Sequence, residues 1–590
     1  MKRIKYMAAL AISLFLLNSC NTLDIENIYS YDAEKVWNDD KLATAFMTNL
    51  YANTFDNWSA GADANSEQIN GIYFYPDRIN TITSEFKNWN YTNIRLINEA
   101  IENVEAGTLT AETKTKLIAE AKFLRAYTYF GMVNYHGGVP YITKAQDKDV
   151  DDLFVTRNTT KECFDLIIKD LDEAIATLPN KISSSSSDYG RIDGTFAQAF
   201  KGKVLLYKAS PMFNPNNQWD NAYWQEAYTA NEAAYKKCID NGSQLVADYG
   251  NIYLVENGPE VVFAVINQYP NKTAYWDSGT RPGSESRGNA WACPTWEFVT
   301  EFPMKDGKQY DDPTSKYNKT TDELLQSFWE NRDPRFDKSI ACNGSIYELS
   351  GKTGNRQYSA LGIAHEMDDF GTNPNAKINS TNLNSATGLF IRKAVDITLK
   401  QAEVEQYDKD YNVMRFAEVM LNYAETANET GHMDIAWNML KQIRLRAGIE
   451  PGTDGNYGIE ATTKEEMREA ILQERNIEFC FEGKRFWDLR RLRKLDRLNN
   501  TTKHGIEAIA INSDATEMDI TTAKSKADAN QLTEDDFRYV LHQIPFSGVK
   551  VNTLPEDKYY FFPIYQTSID KNNNLEQNIN WGGTFNPALD

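Results

Sequence analysis

Apolar residues recur at helical spacing through several long stretches of the chain. After Arg415, the residues Phe416, Val419, Met420, Tyr423, Ala424 and Ala427 form one continuous stripe at i, i+3, i+4, i+7, i+8 and i+11. Gly431 follows in the position where helices commonly end, and Ala436, Met439, Leu440, Ile443 and Ala447 then repeat the spacing up to Gly448. Two such helices joined by a short Gly-His-Met-Asp link must lie antiparallel and bury facing stripes. Comparable pairs are predicted from Ala119–Tyr135 with Thr160–Leu178, and from Thr195–Ala209 with Tyr223–Asp240. Their unequal separation points to a degenerate array of helical pairs, of tetratricopeptide type, rather than a regular solenoid.

The pattern changes from Gln244 to about Tyr411, where Gly, Pro, Asn, Tyr and Trp dominate and only short runs such as Glu260–Ile266 suggest strands. So long a stretch within a helical chain is a large insertion. Tyr51 to Asn88 is irregular as well. The expectation is a mainly α protein. Residues 20–242 form an N-terminal helical scaffold, 243–411 an irregular subdomain with short strands, and 412–590 a C-terminal helical pair. Loops held by a rigid frame are where binding residues concentrate, so the two irregular regions are the first places to look for a site.

The N-terminus adds a location. Lys2, Arg3 and Lys5 precede an apolar run from Met7 to Leu17, then Leu17-Asn18-Ser19-Cys20. This is a signal-peptide layout, and the run is shorter than the ~20 residues that span a bilayer. A cysteine directly after the small residue fits a lipoprotein box, so residues 1–19 are expected to be removed and Cys20 acylated. The net charge of −21 becomes more acidic without those basic residues, which argues against nucleic acid as a partner. Five scattered cysteines besides Cys20, with no CxxC spacing, and five unpaired histidines give no support for a disulfide framework or a metal centre.

The densest motif is ERNIEFCFEGKRFWDLRR at Glu474–Arg491, preceded by a Thr463/Glu466 capping box. Two of its acids could serve as a general acid/base pair, as in glycosidases. Each acid, however, has a cation within three or four residues, which keeps it ionised; the motif therefore reads as a structural tie, with its aromatics in the core. No nucleophile elbow, phosphate loop or dinucleotide fingerprint is present, and catalysis is not expected. Aromatics flanked by polar groups suit a sugar-binding surface: Tyr73, Tyr75, Trp276 and Trp291 as ring platforms, with Asp63, Arg78 and Arg287 holding hydroxyls.

Taken in order, the lipobox, AEAKFLRAYTYFGMVNYHGGVP at Ala119–Pro140, IIKDLDEAIATLP at Ile167–Pro179, CPTWEFVTEFPMKDGK at Cys293–Lys308 and NRDPRF at Asn331–Phe336 resemble the SusD/RagB family of outer-membrane nutrient-binding lipoproteins. RFAEVMLNYAETANETG at Arg415–Gly431, IRLRAG at Ile443–Gly448, Glu474–Arg491 and the tail Lys558–Trp581 continue the resemblance. It implies a lipid-anchored protein on the cell surface that binds oligosaccharides without a cofactor and delivers them to a SusC-like TonB-dependent transporter. The alternatives are a surface glycoside hydrolase or a peptide binder on the same scaffold. The resemblance also places the ligand between Tyr51–Asn88 and Tyr269–Trp291.

Overall fold

The computed structural model describes residues 33–71, 79–82, 86–286, 292–359, 385–498, 502–544 and 557–589. Cys20, Tyr73, Tyr75, Arg78, Arg287 and Trp291 lie outside the described residues.

The protein is mainly helical. Its long helices are α1 (Asp40–Thr54), α2 (Tyr91–Ala106), α3 (Ala111–His136), α4 (Thr160–Thr177), α5 (Gly194–Ala209) and α6 (Tyr223–Asp240), followed after a long irregular stretch by α7 (Phe416–Glu429), α8 (Met433–Ala447) and α9 (Lys464–Glu478). From α2 to α8 each packs on the next along the chain, and α9 packs on α7. The short α10 (Arg485–Arg491) follows α9. Local chemistry sets the ends. Thr159 and Glu162 form a capping box at the start of α4, and Thr463 and Glu466 do the same for α9. Gly431 and Gly448 close α7 and α8 with φ of +87° and +83°, which a side chain would strain. The helices α1 and α2 were not predicted, although Ile94, Ile97, Ile101 and Val104 of α2 fall at helical spacing and are buried. Because α1 runs to Thr54, the first irregular segment begins at Phe55 rather than Tyr51.

Among the described residues, three two-stranded antiparallel sheets accompany the helices: β1 (Val261–Val265) with β4 (Tyr411–Arg415), β2 (Ile340–Ala341) with β3 (Phe390–Ile391), and β5 (His504–Ala510) with β6 (Phe537–Gln543). Two large apolar cores result. One is the helix array, which also takes in Phe479, Phe486, Leu489 and Tyr559–Phe562. The other gathers the irregular residues around Trp276, Phe298, Phe336 and Phe390, together with β5, β6 and, from the first irregular segment, Trp58 and Ile69. Ile477, Cys480 and Phe481 belong to this second core while Phe479 and Phe486 belong to the first, so the Glu474–Arg491 motif stitches the two together. All five cysteines from Cys163 onward are free and buried.

Candidate functional site

The fold brings the two irregular segments side by side. Ile69 forms an antiparallel bridge with Pro294; Asn70 donates its N–H to Cys293 O at 2.8 Å, and Cys293 N–H returns to Asn70 Oδ1 at 2.7 Å. The hydroxyl of Thr295 bonds to Glu67 O, and the Trp58 and Trp276 rings meet at 4.7 Å. These contacts join segments more than 200 residues apart, and the amide pair Asn57–Asn267, 210 residues apart, does so again.

The Glu474–Arg491 motif pins this junction to the helices. Gly483 N–H donates to Asp63 Oδ2 at 2.7 Å, Phe481 N–H to Gln68 Oε1 at 3.0 Å, and Arg485 pairs with Glu67 at 2.6 Å. Its ion pairs are tertiary, not the local i,i+3 and i,i+4 pairs expected from spacing. Arg415 reaches Glu260, Glu478 and Glu482 at 2.6, 2.7 and 2.8 Å; Arg335 reaches Asp333, Glu474 and Glu478. Only Asp488–Arg491 is a local pair of the expected kind. Burial alone would raise the Glu482 carboxyl, but Arg415 and Lys393 outweigh it and hold the pKa down to about 2. Buried against these guanidinium groups, the carboxylates tie β4, α7 and α9 together.

Two adjoining cavities of about 580 and 490 Å³ open beside the junction. Both are lined by Asp56, Tyr135, Tyr411, Glu482, Gly483 and Trp487. The larger adds Asn57, Trp58, Asn65 and Phe86; the smaller adds the amides of Asn53, Asn88 and Asn90 and the ring of Tyr127. Tyr135 and Trp487 are half-buried, with ring centroids 5.0 Å apart. The Asp56 residue is exposed, and its carboxylate makes no hydrogen bond or ion pair among the described residues. Lys203 and Lys484, on the wall of the smaller cavity, share one carboxylate, Glu418, at 2.9 and 2.6 Å. A cleft with flat rings, several amides and one uncommitted carboxylate can pack the faces of a sugar and accept its hydroxyls.

The residues expected at the site divide. Trp276 lines the larger cavity, but it is only 1% exposed and its indole N–H donates to Lys393 O, so its ring is set into the wall and does not stand free at the surface. Its size and the Trp58 ring against it draw it into the second core. Asp63 is 2% exposed, committed to Gly483, and pushed up to about 7 mainly by burial; it is a buried anchor and not a hydroxyl partner at a surface. Asp56, Tyr135, Tyr411 and Trp487, which line both cavities, were not among the residues expected there. Asp56 sits between Phe55 and Trp58, inside the early region already singled out. Tyr135 and Trp487 carry no comparable signal, because a helix stripe and a charged motif both read as packing.

The profile of the SusD family matches residues 259–581. The chain belongs to the SusD family. A second family, described as starch-binding and associating with the outer membrane, matches residues 27–206 of this SusD-family chain. Among curated relatives, a SusD-like protein of Formosa agariphila is 25% identical over 535 residues, 84% of this chain and 92% of its own. A SusD-like protein of Bacteroides fragilis superposes with a TM-score of 0.71 at 23% identity, covering 93% of this chain and 98% of the other. A second solved structure from that organism, titled a SusD-like carbohydrate binding protein, has a TM-score of 0.69 at 21% identity, covering 92% and 100%. Those two likenesses confirm the fold. Among the described residues no helix is long and apolar enough to cross a membrane.

Proposed function

We propose that this SusD-family protein is a non-catalytic, lipid-anchored binder of oligosaccharides at the outer-membrane surface, and that it hands them to a SusC-like TonB-dependent transporter. Family membership, the outer-membrane association of the family matched at residues 27–206 and the lipobox at Cys20 support the location. The observation that carries the ligand class is the pair of adjoining cavities. Their shared wall sets the half-buried rings of Tyr135, Tyr411 and Trp487 beside the unpaired carboxylate of Asp56. Asp56 accepts ligand hydroxyls, while Tyr135 and Trp487 receive ring faces. Tyr73, Tyr75, Arg78, Arg287 and Trp291 remain proposed ligand partners from their sequence context alone.

Titration calorimetry of the purified protein against a panel of neutral and acidic oligosaccharides tests the reading. Binding of at least one glycan, weakened by Asp56→Asn and unaccompanied by release of new reducing ends, is the expected result. Absence of binding across the panel, or turnover abolished by a single carboxylate substitution, overturns it.

A further inference from the structure

Lys503 stands directly before β5 and reaches across to the segment 64–71 of the first irregular region. Its Nζ donates to the backbone carbonyl oxygens of Ser66, Ile69 and Gly71 at 2.6, 2.7 and 3.0 Å, with Ala64 O at 3.3 Å. An ammonium has three protons. The three shorter contacts take one each and the fourth carbonyl shares. The spacings are those of N–H···O bonds, longer than the roughly 2.3–2.6 Å at which calcium binds oxygen. Ala64, Ser66 and Ile69 are all buried, and a buried carbonyl without a donor is costly. One lysine thus turns four carbonyls of an irregular loop inward, the arrangement by which other loops wrap a metal cation.

The cation is kept at an energetic cost. Burial pushes the pKa of Lys503 down to about 8, against the pull of Glu67, Glu297 and Asp63. A chain selected for stability alone gains little from such a charge. The segment it grips is the one that bridges to Pro294, and Asn65 within it, with Gly61 and Ala62 just before, lines the larger cavity.

We propose that Lys503 is a positioning residue: a built-in cation, standing where a bound metal ion would otherwise serve, that fixes the segment 64–71 and with it one wall of the larger cavity. Its consequence for ligand affinity rests on the cavity being the glycan site, whereas the ordering of the segment does not.

The test therefore reads the segment directly. Backbone hydrogen exchange of residues 61–71 is followed at pH 7 in the wild type, Lys503→Met and Lys503→Ala, with thermal melting alongside. Both variants should exchange at least tenfold faster in this segment, with the helix array unchanged. Millimolar n-propylammonium, which replaces the deleted ammonium and stem, should restore slow exchange in Lys503→Ala and leave the wild type unaffected; n-propanol at the same concentration should not. Unchanged exchange in Lys503→Ala, or equal rescue by propanol, overturns the proposal, because the side chain would then act as filler. Should Lys503→Ala not fold, recovery of folded protein by propylammonium but not by propanol supports the same role, and recovery by both or by neither overturns it.

Discussion

Arg415 Nη1 lies 2.7 Å from Glu478 Oε1, and neither side chain is more than 1% exposed. Arg415 sits at the β4–α7 boundary and Glu478 at the end of α9, so this pair locks the sheet β1–β4 to the motif that bridges both cores. Burying so many charges yields little net stability, but breaking the set is expensive because the remaining charges lose their partners.

Arg415→Ala should accordingly cost about 3–5 kcal/mol, since it leaves Glu260, Glu478 and Glu482 short of a cation. Denaturant unfolding measures this. A loss under about 1 kcal/mol would place the network among weak, solvent-screened pairs.

Trp487 and Phe486 are neighbours in sequence with different expected roles. Phe486 is 2% exposed in the helical core, and its truncation to Ala should cost roughly 3–5 kcal/mol of stability. Trp487→Ala removes a half-buried cavity wall, so it should destabilise less while weakening glycan binding by about 1–3 kcal/mol, as aromatic stacking on rings does elsewhere. Calorimetry and melting on both variants separate the roles, and equal binding by Trp487→Ala would return this ring to a purely structural part.

Asp63 predicts a pH effect of definite sign. Its folded pKa is raised from 3.8 to about 7, principally by burial, so between those values the folded state holds a proton that the unfolded chain has released. Its contribution to stability is therefore greatest at low pH and is lost as pH rises from about 4 to 7. Glu482, held down to about 2, works in the opposite sense, its contribution being lost as pH falls through the range 4.5 to 2. Comparing Asp63→Asn with the wild type isolates the first effect: the variant's stability curve should be flatter between pH 4 and 7. Parallel curves would show that Asp63 ionises normally.

The proposed acylation of Cys20 predicts that Cys20→Ala releases the protein from the membrane without affecting the fold, because stable anchoring would need the acyl chains. Fractionation of cells lacking the proposed SusC-like transporter decides it, and a variant still in the membrane fraction would contradict the lipobox.

The helical pairs were legible because periodicity is local. The stripe from Phe416 to Ala427, the glycines at 431 and 448 and the Thr463/Glu466 box all appear where the sequence puts them. α1 and α2 carry the same local signal, with Ala43, Met47 and Leu50 in α1 and Ile94, Ile97, Ile101 and Val104 in α2 buried at helical spacing, but their stripes were not read. The regions to search for a site could also be named, because rings and polar groups accumulate where helical spacing stops.

By itself, then, the sequence determined the helical class, the caps, the alternating charges of Glu474–Arg491 and the two aromatic-rich segments. Tertiary structure alone decided which groups meet. Glu474 finds Arg335 across 139 residues, Asp63 finds Gly483 across 420, and Trp276, expected as a ring platform among aromatics and polar groups of an irregular region, packs against Trp58 in the second core. Periods of two or 3.6 residues report which face of an element is apolar. They carry nothing about partners brought together by chain crossings hundreds of residues apart, and it is those crossings that leave Asp56 unpaired, seat Trp487 in a cavity wall and close four carbonyls around Lys503.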